Sequence, residues 1–135
     1  MRILIVDDDR IVLESCRRIL EAEGIAVITA GNAEKAEAVL LTEGPFEVIM
    51  TDIKMPGRDG FALIRPLRRA YPEMAVVMMT GYLVQDIVRK GTESGADVLI
   101  AKPFTPEELL AAVREAVAAV GRPDAQPSAH RAPLS

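Results

Sequence analysis

Four stretches of this 135-residue chain carry side chains that together could do chemistry: the acidic pair Asp7-Asp8, then Asp52, Thr80 and Lys102. Each stands where a short apolar run ends. Three carboxylates drawn to one place repel each other, at a cost unless something neutralises them. A hard divalent cation such as Mg2+, bound through carboxylate oxygen, does so. Such a cation can bridge to a phosphoryl oxygen, while Lys102 offers a second positive charge as a point contact. Thr80 can donate its hydroxyl hydrogen to a third oxygen. In that arrangement Asp52 is the nucleophile and the product is an aspartyl phosphate. Singly, each stretch has a plainer structural reading. Asp7-Asp8-Asp9 suits the first turn of a helix, where the dipole favours acid. Asp52 can start a loop, Thr80-Gly81 can form a turn, and Lys102-Pro103 can be an exposed pair. None of these explains why one set holds this mix of charges.

The elements that must position these residues follow from periodicity. Ile3 to Val6 reads as a strand buried on both faces. A helix from Arg10 to about Glu23 follows, with Val12, Cys16, Ile19 and Leu20 on one stripe and Gly24 as its stop. Ile25 to Thr29 is a β-branched strand. Asn32 caps a second helix bearing Ala36, Val39 and Leu40, ending near Gly44-Pro45. Phe46 to Thr51 leads into Asp52. A third helix spans Phe61 to Ala70, where Pro66 removes one backbone hydrogen bond and predicts a kink. A strand over Ala75 to Met79, a helix over Leu83 to Ser94 and a strand over Asp97 to Ala101 complete the alternation. The last helix has the fullest signals: Thr105 as N-cap, Pro106 at the first position, Glu108 to close a capping box, and Leu109, Val113, Val117 and Val120 as its core stripe. Alternating strands and helices predict an α/β fold, a parallel sheet covered on both faces by right-handed crossovers. Ligands of such sheets bind at the carboxyl ends of the strands. All the residues singled out above fall there.

Composition narrows the function classes. The length points to one domain, residues 1–121, and the 50% apolar content is enough for one core. A net charge of -4 argues against a non-specific nucleic-acid binder. A single cysteine, Cys16, forms no internal disulfide, which fits a reducing cytoplasm, and its place on an apolar stripe predicts a small buried side chain. The apolar start is too short for a leader or a membrane span. Residues 122–135, rich in Pro, Ala, Ser and Arg without periodicity, read as a disordered tail or linker. His130, the single histidine, lies in it and reads as a solvated residue. No output domain follows the last helix, which leaves a stand-alone domain or the N-terminal part of a longer transcriptional regulator.

The pair Asp7-Asp8, the segment from Asp52 through Met55-Pro56-Gly57-Arg58-Asp59 to Gly60, the pair Thr80-Gly81 and the triplet Lys102-Pro103-Phe104 resemble the signature of two-component response-regulator receiver domains of the chemotaxis type. The resemblance covers about residues 2–120. It implies a five-stranded, doubly wound, flavodoxin-like sheet of order 2-1-3-4-5. It implies that Asp52 takes a phosphoryl group from a sensor histidine kinase or phosphotransfer protein. Asp8, Asp52 and the Lys54 carbonyl would bind Mg2+ directly, and Asp7 would hold a metal-bound water. Thr80 would move toward the phosphoryl group and Lys102 would pair with it, beside a cis Lys102–Pro103 bond. Gly81 would leave space next to the acceptor. The output would be altered binding of a downstream protein or domain, or a phosphorylation-dependent homodimer, with no membrane or direct nucleic-acid contact. Such a domain promotes its own phosphorylation and slow dephosphorylation without being an enzyme in the usual sense. The chain departs from the pattern at Leu99, where receivers commonly carry Tyr or Phe.

Three rivals share parts of this reading. A pseudo-receiver would keep the fold and bind partners without phosphate; the full acidic set with Thr80 and Lys102 argues against it. A small-molecule phosphatase with an aspartyl nucleophile would use Asp7 and Asp9, leaving Asp52 without a role. A flavin module would need a Gly- or Ser/Thr-rich phosphate loop where the Asp7-Asp8-Asp9 run stands.

Overall fold

The computed structural model describes residues 1–120 and the backbone of residues 128–130. Elements alternate as β1 (Arg2–Val6), α1 (Arg10–Glu21), β2 (Ala26–Ala30), α2 (Ala33–Glu43), β3 (Val48–Asp52), α3 (Gly60–Ala70), β4 (Ala75–Thr80), α4 (Gln85–Ser94), β5 (Val98–Ala101) and α5 (Pro106–Val120). The first five strands stand in the expected order 2-1-3-4-5, all parallel. A short β6 (Ser128–His130) adds to the open edge of β5, also in parallel. These three residues fall in the segment expected to be irregular. An edge strand presents unpaired N–H and C=O groups, and these residues meet them. The rest of that tail lies outside the described residues, as does the His130 side chain.

Each helix starts where a side chain satisfies free N–H groups, α4 excepted. Asp9 accepts from Ile11 N (2.9 Å), Asn32 from Lys35 N (2.8 Å) and Asp59 from Ala62 N (2.9 Å). The Thr105 box closes both ways, Glu108 N donating to Thr105 Oγ1 (3.1 Å) and Thr105 N to Glu108 Oε1 (2.7 Å). The helix of α3 continues through Pro66.

Side-chain alternation divides the core into two. Leu4, Val6, Ile49, Val76, Met78 and Leu99 face α2 and α3, meeting Leu40, Leu63, Ile64 and Leu67, with Ile87 and Val88 of α4 half-buried at the edge. Ile3, Ile5, Met50, Val77, Met79 and Ile100 face α1 and α5, meeting Cys16, Leu20, Leu109 and Val113. Each such buried Leu or Ile contributes about 1.5–3 kcal/mol relative to exposure. The stripe expected on α5 needs one correction. Val117 is exposed, and Ala112 and Ala116 are buried in its stead. At 3.6 residues per turn Val117 lies about 80° round the helix from Leu109, whereas Ala116 lies about 20° away. Among the described residues, no helix is long and apolar enough to cross a membrane.

Candidate functional site

Register delivers the acidic residues to one rim. Val6 pairs with Thr51 across β1 and β3, so Asp7 and Asp52 stand side by side one residue further on. Asp52 pairs with Met79 on β4, and Thr80 pairs with Ala101 on β5. Lys102 N then donates to Thr80 O at 2.8 Å, which ties the last strand end to the same rim. Carboxylate oxygens of Asp7, Asp8 and Asp52 lie within 4.8 Å of one another.

Asp7 is fully buried and both its oxygens are engaged: Oδ1 accepts from Asp9 N (2.9 Å) and Oδ2 from Lys102 Nζ (2.7 Å). Lys102 Nζ also lies 3.3 Å from Asp52 Oδ1, which accepts from Ile53 N at 3.0 Å. One ammonium thus serves two carboxylates, and Asp8 adds a third, exposed one. Burial, and then the charge of Asp7, push the Asp52 carboxyl above its ordinary value, against the pull of Lys102. Burial works against the Lys102 ammonium, but the Asp7 hydrogen bond and the Asp52 charge outweigh it and hold its pKa up. Oxygen donors in excess of positive charge suit a hard cation such as Mg2+. The residues present therefore fit the ion that the sequence implied.

Thr80 is buried, and its Oγ1 accepts from Tyr82 N at 3.0 Å, which leaves the hydroxyl hydrogen to be donated. A Cβ at Gly81 would meet nothing within 4 Å, so the chain is uncrowded just after Thr80. Lys54 is exposed, and its Nζ sits 6.0 Å from the Tyr82 ring, linking the loops after β3 and β4. The Lys102–Pro103 bond is cis, and so is Gly44–Pro45. Cys16 lies buried behind the rim, its thiol pushed up to about 11 by burial and by Asp7, an inert packing residue.

Some roles were not read from the sequence. Asp9 belongs to the cap of α1 and not to the acidic cluster. Gly60 starts α3 directly against Asp52, since a Cβ there would lie 2.4 Å from the Asp52 carbonyl oxygen. Leu99 is fully buried, and the gap that receives its methyl groups is Gly91 of α4. A glycine inside a helical pattern gives no local hint of what it admits.

The model of the response regulator receiver domain family matches residues 3–114. The CheY-like response regulator receiver domain protein of Methanospirillum hungatei superposes with a TM-score of 0.82 at 36% identity, over 90% of this chain and 96% of that one. The BeF3-activated DrrB receiver domain gives a TM-score of 0.76 at 32% identity over 87% and 97%, and the response regulator DrrB of Thermotoga maritima gives 0.75 at 34% over 84% and 50%. The transcriptional regulatory protein AruR of Pseudomonas aeruginosa is 38% identical over 86% of this chain and 49% of its own length. The chain spans half or less of the length of the curated relatives it matches. With a matched signature, a shared fold and an acidic rim at the strand ends, the chain belongs to the response regulator receiver domain family.

Proposed function

We propose that this chain is a phosphorylation-dependent switch whose acceptor is Asp52. The observation that carries the reading is the placement of Asp52 between two other carboxylates and the Lys102 ammonium at the carboxyl end of a parallel sheet. An Asp52 oxygen attacks the phosphorus of a phosphohistidine on a sensor histidine kinase or phosphotransfer protein. The P–N bond breaks, and the imidazole keeps the electron pair and takes up a proton. Asp8, Asp52 and the Lys54 carbonyl are the groups that would hold Mg2+ directly, with Asp7 behind them. When bound, the ion supplies charge neutralisation at the phosphoryl oxygens. Lys102 already stands where it can exchange Asp52 for a phosphoryl oxygen, and Thr80 has a hydrogen to donate to another. Positioning and charge account for the rate, as little covalent work falls to the protein. The changed position of Thr80 is then passed to a downstream protein or domain, in the cytoplasm.

Phosphotransfer from a kinase or from acetyl phosphate, with and without Mg2+, tests this. Labelling should require the divalent cation and vanish in Asp52→Asn. Undiminished labelling of that variant would overturn the assignment. Mg2+ should also raise the melting temperature of the wild type and fail to do so in Asp8→Ala, because it binds only the assembled rim.

A further inference from the structure

The loop that leaves the acceptor strand is closed at its base and gripped from two sides. Gly60 N donates to Ile53 O at 2.8 Å, and Ile53 N donates to Met79 O at 3.1 Å, so the ends of the loop meet on the sheet. Met55 anchors it inward, being buried in the core. Gly57, at φ +81°, turns the chain back. The outward grip comes from Arg58, which reaches across to α2. Its Nη1 donates to Glu37 Oε2 (2.9 Å) and its Nη2 to Glu37 Oε1 (2.6 Å), while Nε lies 3.6 Å from Glu34 Oε1. Two parallel N–H···O bonds of this kind fix orientation as well as distance. The hydrogen bonds from Arg58 hold the Glu37 carboxyl below its usual range. Glu34 and Glu37 are spaced to share one helix face, so α2 presents a prepared seat for the guanidinium.

We propose that Arg58 and Glu37 are positioning residues for the divalent cation: from outside the site they hold the loop that carries the Lys54 carbonyl, and so set the affinity and selectivity for Mg2+. The inference rests on the reading of the Asp52 site given above. A half-exposed ion pair adds little to fold stability. It can matter far more to a ligand oxygen. Mg2+ demands near-ideal octahedral geometry at short distance, whereas Ca2+ accepts variable, longer coordination. A carbonyl that drifts by a few tenths of an ångström is therefore lost to Mg2+ before it is lost to Ca2+.

Calorimetric titration of the full chain with MgCl2 and with CaCl2, alongside metal-free melts, tests the proposal. Arg58→Ala should weaken Mg2+ binding about threefold, less than the loss of a group bonded directly to a ligand, and Ca2+ binding by clearly less. Glu37→Gln should show the same pattern more mildly, and it carries the test if Arg58→Ala fails to fold. Arg58→Ala with Glu37→Ala should be no worse than Arg58→Ala alone, because the two act as one unit. Unchanged Mg2+ affinity in Arg58→Ala, or equal losses for both ions, would overturn the proposal while leaving the Asp52 site standing. A wild type that binds neither ion would remove the metal reading itself, and this inference with it.

Discussion

Helices α4 and α5 cover opposite faces of the same strand, β5, and they are held in opposite ways. The start of α5 is sealed by the Thr105–Glu108 box, and it buries Leu109, Ala112, Val113 and Ala116. Val84, at the start of α4, offers no side-chain cap, and the helix's fully buried residues are Gly91 and Ser94, both small. Ile87 and Val88 give α4 only a half-buried grip on the core, and from below Leu99 rises from β5 into the notch left by Gly91, where an added Cβ would lie 2.7 Å from Leu99 Cδ2. The difference matches the two sides of the site. Lys102 leads into the firmly held helix and keeps its charge beside Asp52. Thr80 and Tyr82 lead into the loosely held one. Elements that move are drawn from the less stable parts of a fold, and a switch needs an element with two arrangements.

The largest expected effect is on the notch. Leu99→Ala should cost about 3 kcal/mol by leaving a cavity. Gly91→Ala should cost about 1 kcal/mol, since crowding against a flexible side-chain end is offset by better helix propensity. The double variant should cost less than the two singles added, because the methyl group gained at position 91 fills space that the Leu99 side chain vacates. Chemical denaturation gives all three values. Strict additivity would mean that the two residues do not share the notch, and the contrast between the helices would lose its main support.

Capping sharpens the same contrast at about 1 kcal/mol. Thr105→Ala removes a used cap and should destabilise by roughly that amount. Val84→Asp supplies a missing one at the start of α4 and should stabilise by about 0.5–1 kcal/mol. Opposite signs are expected in urea melts. A loss from both would show that Val84 is needed where it stands, half-exposed though it is.

Much of this arrangement was legible in the sequence, for identifiable reasons. Strands of a doubly covered parallel sheet are continuous apolar runs, and here Asp52, Thr80 and Lys102 interrupt those runs at their carboxyl ends. Asn32 and Thr105 announce their helices because capping is local chemistry. Val117 was misplaced because a stripe stepped by fours drifts round the helix, while small Ala112 and Ala116 give a weaker apolar signal than Val. Leu99 was visible as a departure from the family pattern, but Gly91, on the preceding helix, was not visible as its receptacle. Arg58 and Glu37 lie 21 residues apart on different elements, a separation at which charges of opposite sign carry no pairing signal. The pairing of β6 with β5 is of the same long-range kind.

The charge gathered at the rim offers a third test. The Asp52 carboxyl is pushed up from 3.8, by burial first and by Asp7 second. An acid whose pKa is raised in the fold keeps its proton where the unfolded chain has lost it. Stability therefore falls as pH rises from 3.8 to the raised value, and it stays lower above it. Asp52→Asn should accordingly melt higher than wild type at neutral pH without metal, by a few degrees at most. The gap should close as the pH drops through 3.8. Saturating Mg2+ should raise the wild type more than the variant. A metal-free variant that melts lower at neutral pH would show that Asp52 is better compensated by Lys102 than its burial suggests.

The smallest expected effect concerns how long the phosphoryl group persists. Hydrolysis needs a water in line with the phosphorus, opposite the Asp52 oxygen. Lys54 and Tyr82, each two residues after a member of the site, are the side chains expected to flank that approach. The 6.0 Å separation between Lys54 Nζ and the Tyr82 ring places a cation over an aromatic face, a contact worth about 0.5–1 kcal/mol at exposed sites. Neither side chain has a carboxylate or amide to orient an attacking water, and their pairing is expected to shield the approach between the two loops. Tyr82→Glu with Lys54→Asn should shorten the lifetime about threefold, equivalent to roughly 0.65 kcal/mol in the barrier. Loss of label in excess Mg2+, after removal of the donor, measures it. Tyr82 lies just ahead of the loosely held helix, so the cover should also depend on how firmly that helix starts. Val84→Asp should then lengthen the lifetime where the double variant shortens it. If Val84→Asp stabilises the fold and the decay rate stays the same, the cover is a local pair independent of α4; if the double variant also decays at the wild-type rate, the pair does not shield the site at all.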